Sequence, residues 1–212
     1  MQRPIDIPVT SAGRLPQLLL AAYLILFALL AINPVDRQTW FAENLTVWLI
    51  VGTIAVLYLR GVRFSSTAYL LMSVLIVLHT IGGHYTFEKV PFDWVTRTFG
   101  LARNNFDRVA HFSVGFYAYA VAELLLVNRL VGNRFVLFTY PILVIATVAM
   151  SYEIIEWLYA ASSDPSAGAA YLGSQGDIWD AQKDMLADTL GAIVGTSLFF
   201  GLNDTRSLQA RP

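Results

Sequence analysis

The three histidines of the chain lie in one stretch, and an aspartate accompanies them. His79 and His84 end one apolar run, and Asp107 and His111 begin the next. Because Asp107 and His111 are four residues apart, they share one face of a helix. Histidine and aspartate together form a ligand set that suits zinc, manganese or iron. The alternative is that Asp107 caps its helix and that His111 binds a backbone carbonyl.

Two glutamates interrupt a later apolar run. Glu153 and Glu156 are three residues apart, so they are near neighbours on one helix. An ionised side chain at the centre of a membrane costs about 2.5–3.5 kcal/mol, which makes a lipid-facing position unfavourable for either. The alternative places both in the membrane interface beside Trp157 and Tyr159, and it suits Glu156 better than Glu153.

Four aspartates form a stripe at spacings of three, four and four residues: Asp177, Asp180, Asp184 and Asp188. The helix macrodipole favours the first two, which lie at a helix N-terminus. It does not explain Asp188, which lies two turns further into an apolar run. Gly191 and Gly195 continue approximately the same face at a spacing that lets another helix approach closely. The stripe is therefore predicted to face the interior of a helix bundle.

Together these groups predict metal or acid–base chemistry at one face of a membrane. The carboxylates repel one another if all are ionised, so protons or cations must neutralise them. Arg103, Arg108 and Lys183 supply part of that charge, and a divalent metal would supply more. Arg103 and Arg108 are also candidates for binding a phosphate head group of a substrate.

The acidic residues and histidines are candidates for two further roles, catalysis and metal binding. The candidate catalytic carboxylates are Asp107, Glu153 and Asp188. The candidate metal ligands are His79, His84, His111, Glu156, Asp180 and Asp184. No HExxH-type spacing fixes the metal, so the cofactor prediction is a divalent zinc, manganese or iron ion.

Apolar runs of transmembrane length carry these residues. Of the 212 residues, 56% are hydrophobic and 14% are charged, against about a quarter charged in soluble domains. Since about 20 apolar residues cross a membrane, the sequence predicts spans near residues 15–32, 45–59, 67–81, 109–127, 135–161 and 181–202. The predicted fold is all-α: a polytopic membrane protein in one transmembrane domain, a bundle of about six helices.

Charge and cysteine content exclude several classes of function. The net charge of −1 gives no indication of a nucleic-acid partner. Cysteine is absent, which excludes thiol nucleophiles and cysteine-based metal sites. The remaining predicted partners are membrane lipid and a lipid-linked substrate, and the sequence does not indicate an oligomeric state.

Basic residues in short loops predict the orientation in the membrane. With a cytoplasmic N-terminus, eight basic residues lie on the cytoplasmic side and six lie opposite. The eight are Arg3, Arg14, Arg60, Arg63, Arg129, Arg134, Arg206 and Arg211. Both termini are therefore predicted to be cytoplasmic, and the loops 83–107 and 162–180 are predicted to face outward, with the ionisable cluster beside them.

The segment Asp107-Arg108-Val109-Ala110-His111-Phe112 resembles the acid, basic, two spacers, His, Phe signature of VanZ-like membrane proteins. In that family a glutamate follows on the next span, and then an acidic helix ends in glycines. Glu153 and the segment from Asp184 to Gly195 take those places here. This resemblance covers the last three spans. Arg108, Glu156 and Asp188 depart from the usual lysine, glutamine and asparagine, and the added acids favour a metal or proton site.

Nearly the whole chain resembles the YjdF-like family of bacterial inner-membrane proteins, a relative of the VanZ-like group. The resemblance includes His-Thr-Ile-Gly-Gly-His-Tyr-Thr at residues 79–86 and Gly-Asp-Ile-Trp-Asp-Ala-Gln-Lys-Asp-Met at residues 176–185. It implies a multi-pass protein of the cell envelope in the bacterial inner membrane. The family has no established biochemical activity, so the resemblance implies architecture more than function.

Three functions remain open on these residues. The first is metal-assisted hydrolysis or group transfer on a lipid or lipid-linked envelope substrate, with intramembrane ionisable groups as the site. The second is a transporter for protons, metal ions or a small solute. The cytoplasmic half lacks polar residues, since the first two spans are nearly pure Leu, Ile, Val and Ala. The sequence also has no paired, interrupted half-helices of the usual transporter kind, and both features weaken that alternative. The third is a non-catalytic assembly protein whose polar cluster fixes helix packing.

Overall fold

The computed structural model describes residues 12–162, 172, 174–205 and 208, and the regular structure within them is helical. The helices are α1 Leu15–Leu30, α2 Arg37–Leu59, α3 Ser66–Tyr85, α4 Asp93–Thr98, α5 Phe106–Val114, α6 Tyr117–Val127, α7 Arg134–Ser162 and α8 Asp180–Leu202. Of the predicted outward loops, the segment 162–180 lies largely outside the described residues.

Five helical segments are long and apolar enough to cross a membrane: α2, α3, the combined α5–α6 segment, α7 and α8. The apolar helix α1 is shorter, at 16 residues. A helix of 23 residues such as α2 is about 35 Å long, which exceeds the roughly 30 Å hydrocarbon core. The prediction of an all-α polytopic bundle of about six helices is confirmed.

Short polar segments set where the helices begin. Asp36 caps α2, because its carboxylate accepts a hydrogen bond of 2.7 Å from the Thr39 amide. That hydrogen bond lowers the pKa of Asp36. The helix therefore begins at Arg37, eight residues before the start predicted for the span, and it includes Glu43.

Two layers of contacts assemble the bundle. Helix α8 packs against α5, α6 and α7, while α3 packs against α1, α2, α5 and α6. The approach of α8 to α5 is so close that backbone meets backbone: a β-carbon on Gly191 would overlap the Phe112 carbonyl, and one on Gly115 would overlap the backbone at Ala192. The glycine spacing thus brings the acidic stripe of α8 directly against α5.

The helix directions bring the ionisable residues to one end of the bundle, here called the site end. It contains the N-terminal ends of α2, α5 and α8 and the C-terminal ends of α3 and α7, whose side chains meet as described below. At the opposite end, Glu123 on α6 accepts hydrogen bonds of 2.6 Å from both the amide and the hydroxyl of Ser65, at the start of α3.

Replacing Ser65 with alanine should destabilise the protein by about 1–2 kcal/mol. The Ser65 hydroxyl caps α3 by accepting from the Ala68 amide at 3.2 Å, and it donates to the buried Glu123 carboxylate. Thermal unfolding in detergent measures the loss. Ser66 is the matched control, since its hydroxyl makes no side-chain hydrogen bond within the described part of the chain. Equal melting temperatures for the two alanine variants would contradict the prediction.

Candidate functional site

The aspartates of α8 face α5 and are buried. Asp180, Asp184 and Asp188 are 9%, 3% and 1% exposed. Arg108, in the first turn of α5, donates hydrogen bonds to Asp184 and Asp180. Arg103, just before α5, donates to Asp180 at 2.5 Å. The two arginines therefore neutralise part of the stripe and tie the start of α5 to the start of α8.

Asp177 completes the stripe just outside the membrane-spanning part of α8. The ammonium of Lys183 donates to its carboxylate at 2.6 Å, and this hydrogen bond lowers the pKa of Asp177 below its ordinary value. Arg103 and Arg108 lie 3.9 and 3.6 Å from the same carboxylate. Asp177 is therefore ionised at neutral pH and belongs to the ion-pair network.

His111 lies at the centre of the carboxylates. Its Nε2 atom is 3.5 Å from Asp107 Oδ1 and 3.8 Å from Asp184 Oδ1. Its Nδ1 atom is 3.2 Å from Asp188 Oδ2. Asp107, His111 and Asp184 each offer one ligand atom, and these atoms all lie within 4.8 Å of one another. The two ring nitrogens of His111 thus face different partners, two carboxylates on one side and one on the other.

The alternative explanation of Asp107 as a helix cap is wrong. The side chain that accepts from the first amide of α5, Phe106, belongs to Asn104, at 3.0 Å. Asp107 lies within the first turn of the helix, where its carboxylate reaches Arg103 and His111. The carbonyl partner suggested for His111 is also wrong, because carboxylates occupy that position.

A second buried pair lies on α2 and α3. His79 Nε2 is 3.0 Å from Glu43 Oε2, and the two residues are 9% and 3% exposed. The sequence interpretation missed Glu43, because the predicted second span began after it. The available signal was an acidic residue between the aromatic pair Trp40–Phe41 and the apolar run that begins at Leu45. A capped helix start at Asp36 would have placed that acid inside the helix.

A cavity of about 110 Å³ joins the two groups. The acidic residues and histidines that line it are Glu43, His79, Asp107, His111, Glu156, Asp184 and Asp188. Its remaining walls are largely apolar, from Ile50 on α2 to Val148 on α7. Although α2 and α7 both line the cavity, α2 packs on α3, and α7 packs on α6 and α8. The cavity therefore separates α2 from α7 at the site end.

Some predicted site residues lie apart from this cavity. His84 Nδ1 is 2.7 Å from the Leu30 carbonyl oxygen, so it joins α3 to α1. Glu153 is 9% exposed, and its Oε1 atom makes no hydrogen bond within the described residues, but it is not among the residues that line the cavity. Glu156, one turn further along α7, does line it.

The side chains predicted to bind a substrate phosphate are engaged elsewhere. The side chains of Arg103 and Arg108 are 12% and 16% exposed, and both point to aspartates. Arg103 also donates to the Ser174 carbonyl at 2.7 Å. A phosphate at this position would have to compete with buried carboxylates, so the geometry favours a structural role in the ion-pair network.

Comparison with known proteins identifies the family. Residues 15–205 match the family described as predicted membrane protein DUF2238. The chain is 34% identical over 177 residues to the inner membrane protein YjdF of Escherichia coli strain K12, and the match covers 82% of this chain and 83% of that protein. No solved structure matches the chain.

The resemblance to YjdF-like proteins is confirmed, whereas the more distant resemblance to VanZ-like proteins stays a prediction. The relative is an inner membrane protein, and five helices of this chain are long and apolar enough to span a membrane. The chain is accordingly a multi-pass inner-membrane protein, and it belongs to the DUF2238 family of membrane proteins.

Proposed function

We propose that Asp107, His111 and Asp184 hold a divalent metal ion, and that the protein hydrolyses or transfers a group from a lipid or lipid-linked envelope substrate. The observation that carries the proposal is the position of His111, whose Nε2 atom faces two carboxylates while a third carboxylate holds its Nδ1 atom. Two atoms that each bind one ion at about 2.0–2.2 Å lie roughly 3–4 Å apart. The separations of 3.5 and 3.8 Å fit that requirement.

The charge of the cluster supports a divalent ion. Five aspartates meet around α5 and α8: Asp107, Asp177, Asp180, Asp184 and Asp188. Three side chains with a fixed positive charge contact them, namely Arg103, Arg108 and Lys183. Five negative charges against three positive charges leave an excess of two. Because uncompensated buried charge is strongly unfavourable, one divalent ion balances the site.

Asp188 is assigned a positioning role. Histidine ligands commonly donate their second ring N–H to a carboxylate, which fixes the tautomer and the ring orientation. Asp188 Oδ2 is placed to accept such a hydrogen bond from His111 Nδ1. The other oxygen of Asp188 has no hydrogen-bond partner among the described residues although the side chain is 1% exposed. That oxygen is free to accept a hydrogen bond from a water or a substrate in the cavity.

The opposite wall of the cavity carries a group suited to proton transfer. A metal ion held by the triad of Asp107, His111 and Asp184 would polarise an oxygen of the substrate or lower the pKa of a bound water. His79, held by Glu43 at 3.0 Å, is a candidate general acid or base that faces this position across the cavity. Glu156 lines the same space and is a second candidate for this role.

Access from the membrane favours a lipid substrate. The cavity lies between α2 and α7, which do not pack closely on each other among the described helices, and apolar residues line much of it. A lipid head group can therefore approach from the side while its tails stay in the hydrocarbon. The distribution of arginines further favours an outward-facing site end and cytoplasmic termini.

Incubation with lipids tests the proposal directly. Full-length protein is reconstituted in vesicles of envelope lipid extract with zinc, manganese or iron(II), and mass spectrometry follows both the lipids and the water-soluble products. We expect one lipid class to be consumed by the wild type, and Asp184→Asn to slow its consumption by more than the roughly 10–100-fold typical of outer-shell changes.

Asp93→Asn is the matched control, because Asp93 is exposed on α4 and pairs only with Arg97 at 3.8 Å within the described residues. Its rate should equal that of the wild type. Absence of any lipid turnover with all three metals would overturn the enzyme proposal. Acidification of the same vesicles that requires Asp184 would then support the alternative of a proton relay.

A further inference from the structure

A second cavity, of about 500 Å³, lies between α1, α2 and α3. Its walls come from residues 16–26 of α1, 51–59 of α2 and 69–77 of α3, and nearly all of them are apolar. These segments are the N-terminal part of α1, the C-terminal part of α2 and the first half of α3. The cavity therefore lies in the half of the membrane opposite the site end, and it is independent of the proposed metal centre.

The packing of α1 creates this space. Helix α1 packs on α3, and α3 packs on α2. Helix α1 meets α2 toward the site end, where the Phe27 ring lies 5.5 Å from Trp40 and 5.7 Å from Trp48. Small residues, Ala22 and Ala55, face the gap. One hydrogen bond of 2.5 Å, from the Gln17 amide to the Tyr58 hydroxyl, joins α1 to α2 at the end of the cavity. An apolar space of this size does not hold water well, so hydrocarbon is the occupant that its walls favour.

Two arginines lie close in sequence to residues that line this end of the cavity. Arg14 precedes α1 and Arg60 follows α2, each within two residues of a residue that lines the cavity, Pro16 and Leu59. Both arginines are exposed, and neither forms an ion pair with a residue that the structure describes. Arg63 is already engaged, since its guanidinium lies 3.7 Å from the centre of the Tyr58 ring and donates to the Tyr58 carbonyl.

We infer that this cavity is a binding site for an anionic glycerophospholipid. One acyl chain occupies the space between α1 and α2, and the phosphate lies between Arg14 and Arg60. Guanidinium groups match the geometry of phosphate oxygens, and basic pockets between transmembrane helices are typical binding sites for anionic head groups. A zwitterionic lipid would leave the two arginines without a net negative partner, so charge complementarity selects the anionic class.

Thermal unfolding of the delipidated full-length protein in detergent tests the site. Palmitoyl-oleoyl phosphatidylglycerol should raise the melting temperature more than phosphatidylcholine with the same tails. The Arg14→Gln/Arg60→Gln variant should bind phosphatidylglycerol at least tenfold more weakly, since each basic residue near a lipid surface contributes about a fivefold change. Ala55→Trp should abolish the selective stabilisation by filling the cavity, and glycerophosphoglycerol without tails should have no effect.

Two matched control variants test whether the effects are specific to the cavity. Arg129→Gln removes a positive charge from the same face of the membrane, outside the cavity, and Val56→Trp introduces the same indole side chain on an exposed side of α2. Both should keep the wild-type preference for phosphatidylglycerol. Equal stabilisation by the two lipids would overturn the inference. An effect of Arg129→Gln as large as that of the double variant would also overturn it, because the preference for phosphatidylglycerol would then come from the overall positive charge of this surface and not from the cavity.

Discussion

His111→Gln and Asp184→Asn should each remove a divalent metal that the wild-type protein retains through purification without chelator. Each variant replaces one of the three groups whose ligand atoms lie within 4.8 Å of one another with a neutral amide, which is a much weaker metal ligand. With two ligands left, a site of mixed imidazole and carboxylate donors no longer holds an ion against detergent and buffer. Elemental analysis of the purified proteins should give about one zinc, manganese or iron per wild-type chain and a small fraction of that in the variants.

A third variant separates a ligand from a positioning residue. Asp188→Asn keeps the shape of the side chain and its contact with His111, but it removes the negative charge. Metal affinity should fall by roughly 10–100-fold, the usual cost of changing a partner of a ligating histidine. Competition with a chelator of known affinity measures this change, and the metal should return when it is added in excess. If Asp188→Asn retained as little metal as Asp184→Asn, Asp188 would belong among the ligands instead.

His84→Gln provides the control for loss of a histidine. Its imidazole binds the Leu30 carbonyl, away from the cavity, so its replacement should leave the metal content unchanged. Two results would contradict the metal proposal. One is a wild-type protein that holds no metal even after metal is added back. The other is a His84→Gln variant that loses metal as fully as His111→Gln does.

The sequence allowed the helical fold to be predicted because membrane helices depend on long apolar runs, which are local. It also allowed the acidic stripe to be placed on one face of α8, since spacings of three and four residues repeat with the helical period. Gly191 and Gly195 predicted the close approach of a second helix. The identity of that helix is a tertiary property, and only the structure shows that α5 packs there, bringing His111 to Asp188.

The histidines show that nearness in sequence does not predict which side chains share a site. His79 and His84 are five residues apart, which corresponds to about 140° around a helix of 3.6 residues per turn. They therefore point in different directions, His79 to Glu43 and His84 to Leu30. Grouping the three histidines because they are near in sequence ignored this rotation. Glu43 was missed for a related reason, since hydropathy marks the apolar part of a helix and not its capped, polar start.

Adding one methyl group at Gly191 should have a large effect without touching any ionisable residue. A β-carbon at Gly191 would overlap the carbonyl of Phe112 in the backbone of α5, and backbone atoms cannot move aside as a side chain can. Gly191→Ala should therefore push α8 away from α5 and destabilise the protein by about 1–3 kcal/mol or more. Thermal unfolding in detergent measures the loss.

Gly201→Ala is the matched control on the same helix, since no atom lies within 4 Å of the position that its β-carbon would occupy. Alanine favours a helix over glycine by roughly 0.5–1 kcal/mol, so this variant should be as stable as the wild type or slightly more stable. A Gly191→Ala variant as stable as Gly201→Ala would contradict the close contact between α5 and α8.

The same substitution also tests how the site is positioned. His111 and Asp107 belong to α5, and Asp184 belongs to α8, so the distance between these helices sets how far Asp184 lies from the other two proposed ligands. Gly191→Ala should weaken metal binding, whereas Gly201→Ala should not. Metal affinity measured well below the unfolding temperature of both variants distinguishes this effect from loss of folded protein. If affinity were unchanged in a destabilised Gly191→Ala variant, the ion would have to lie on ligands from one helix alone.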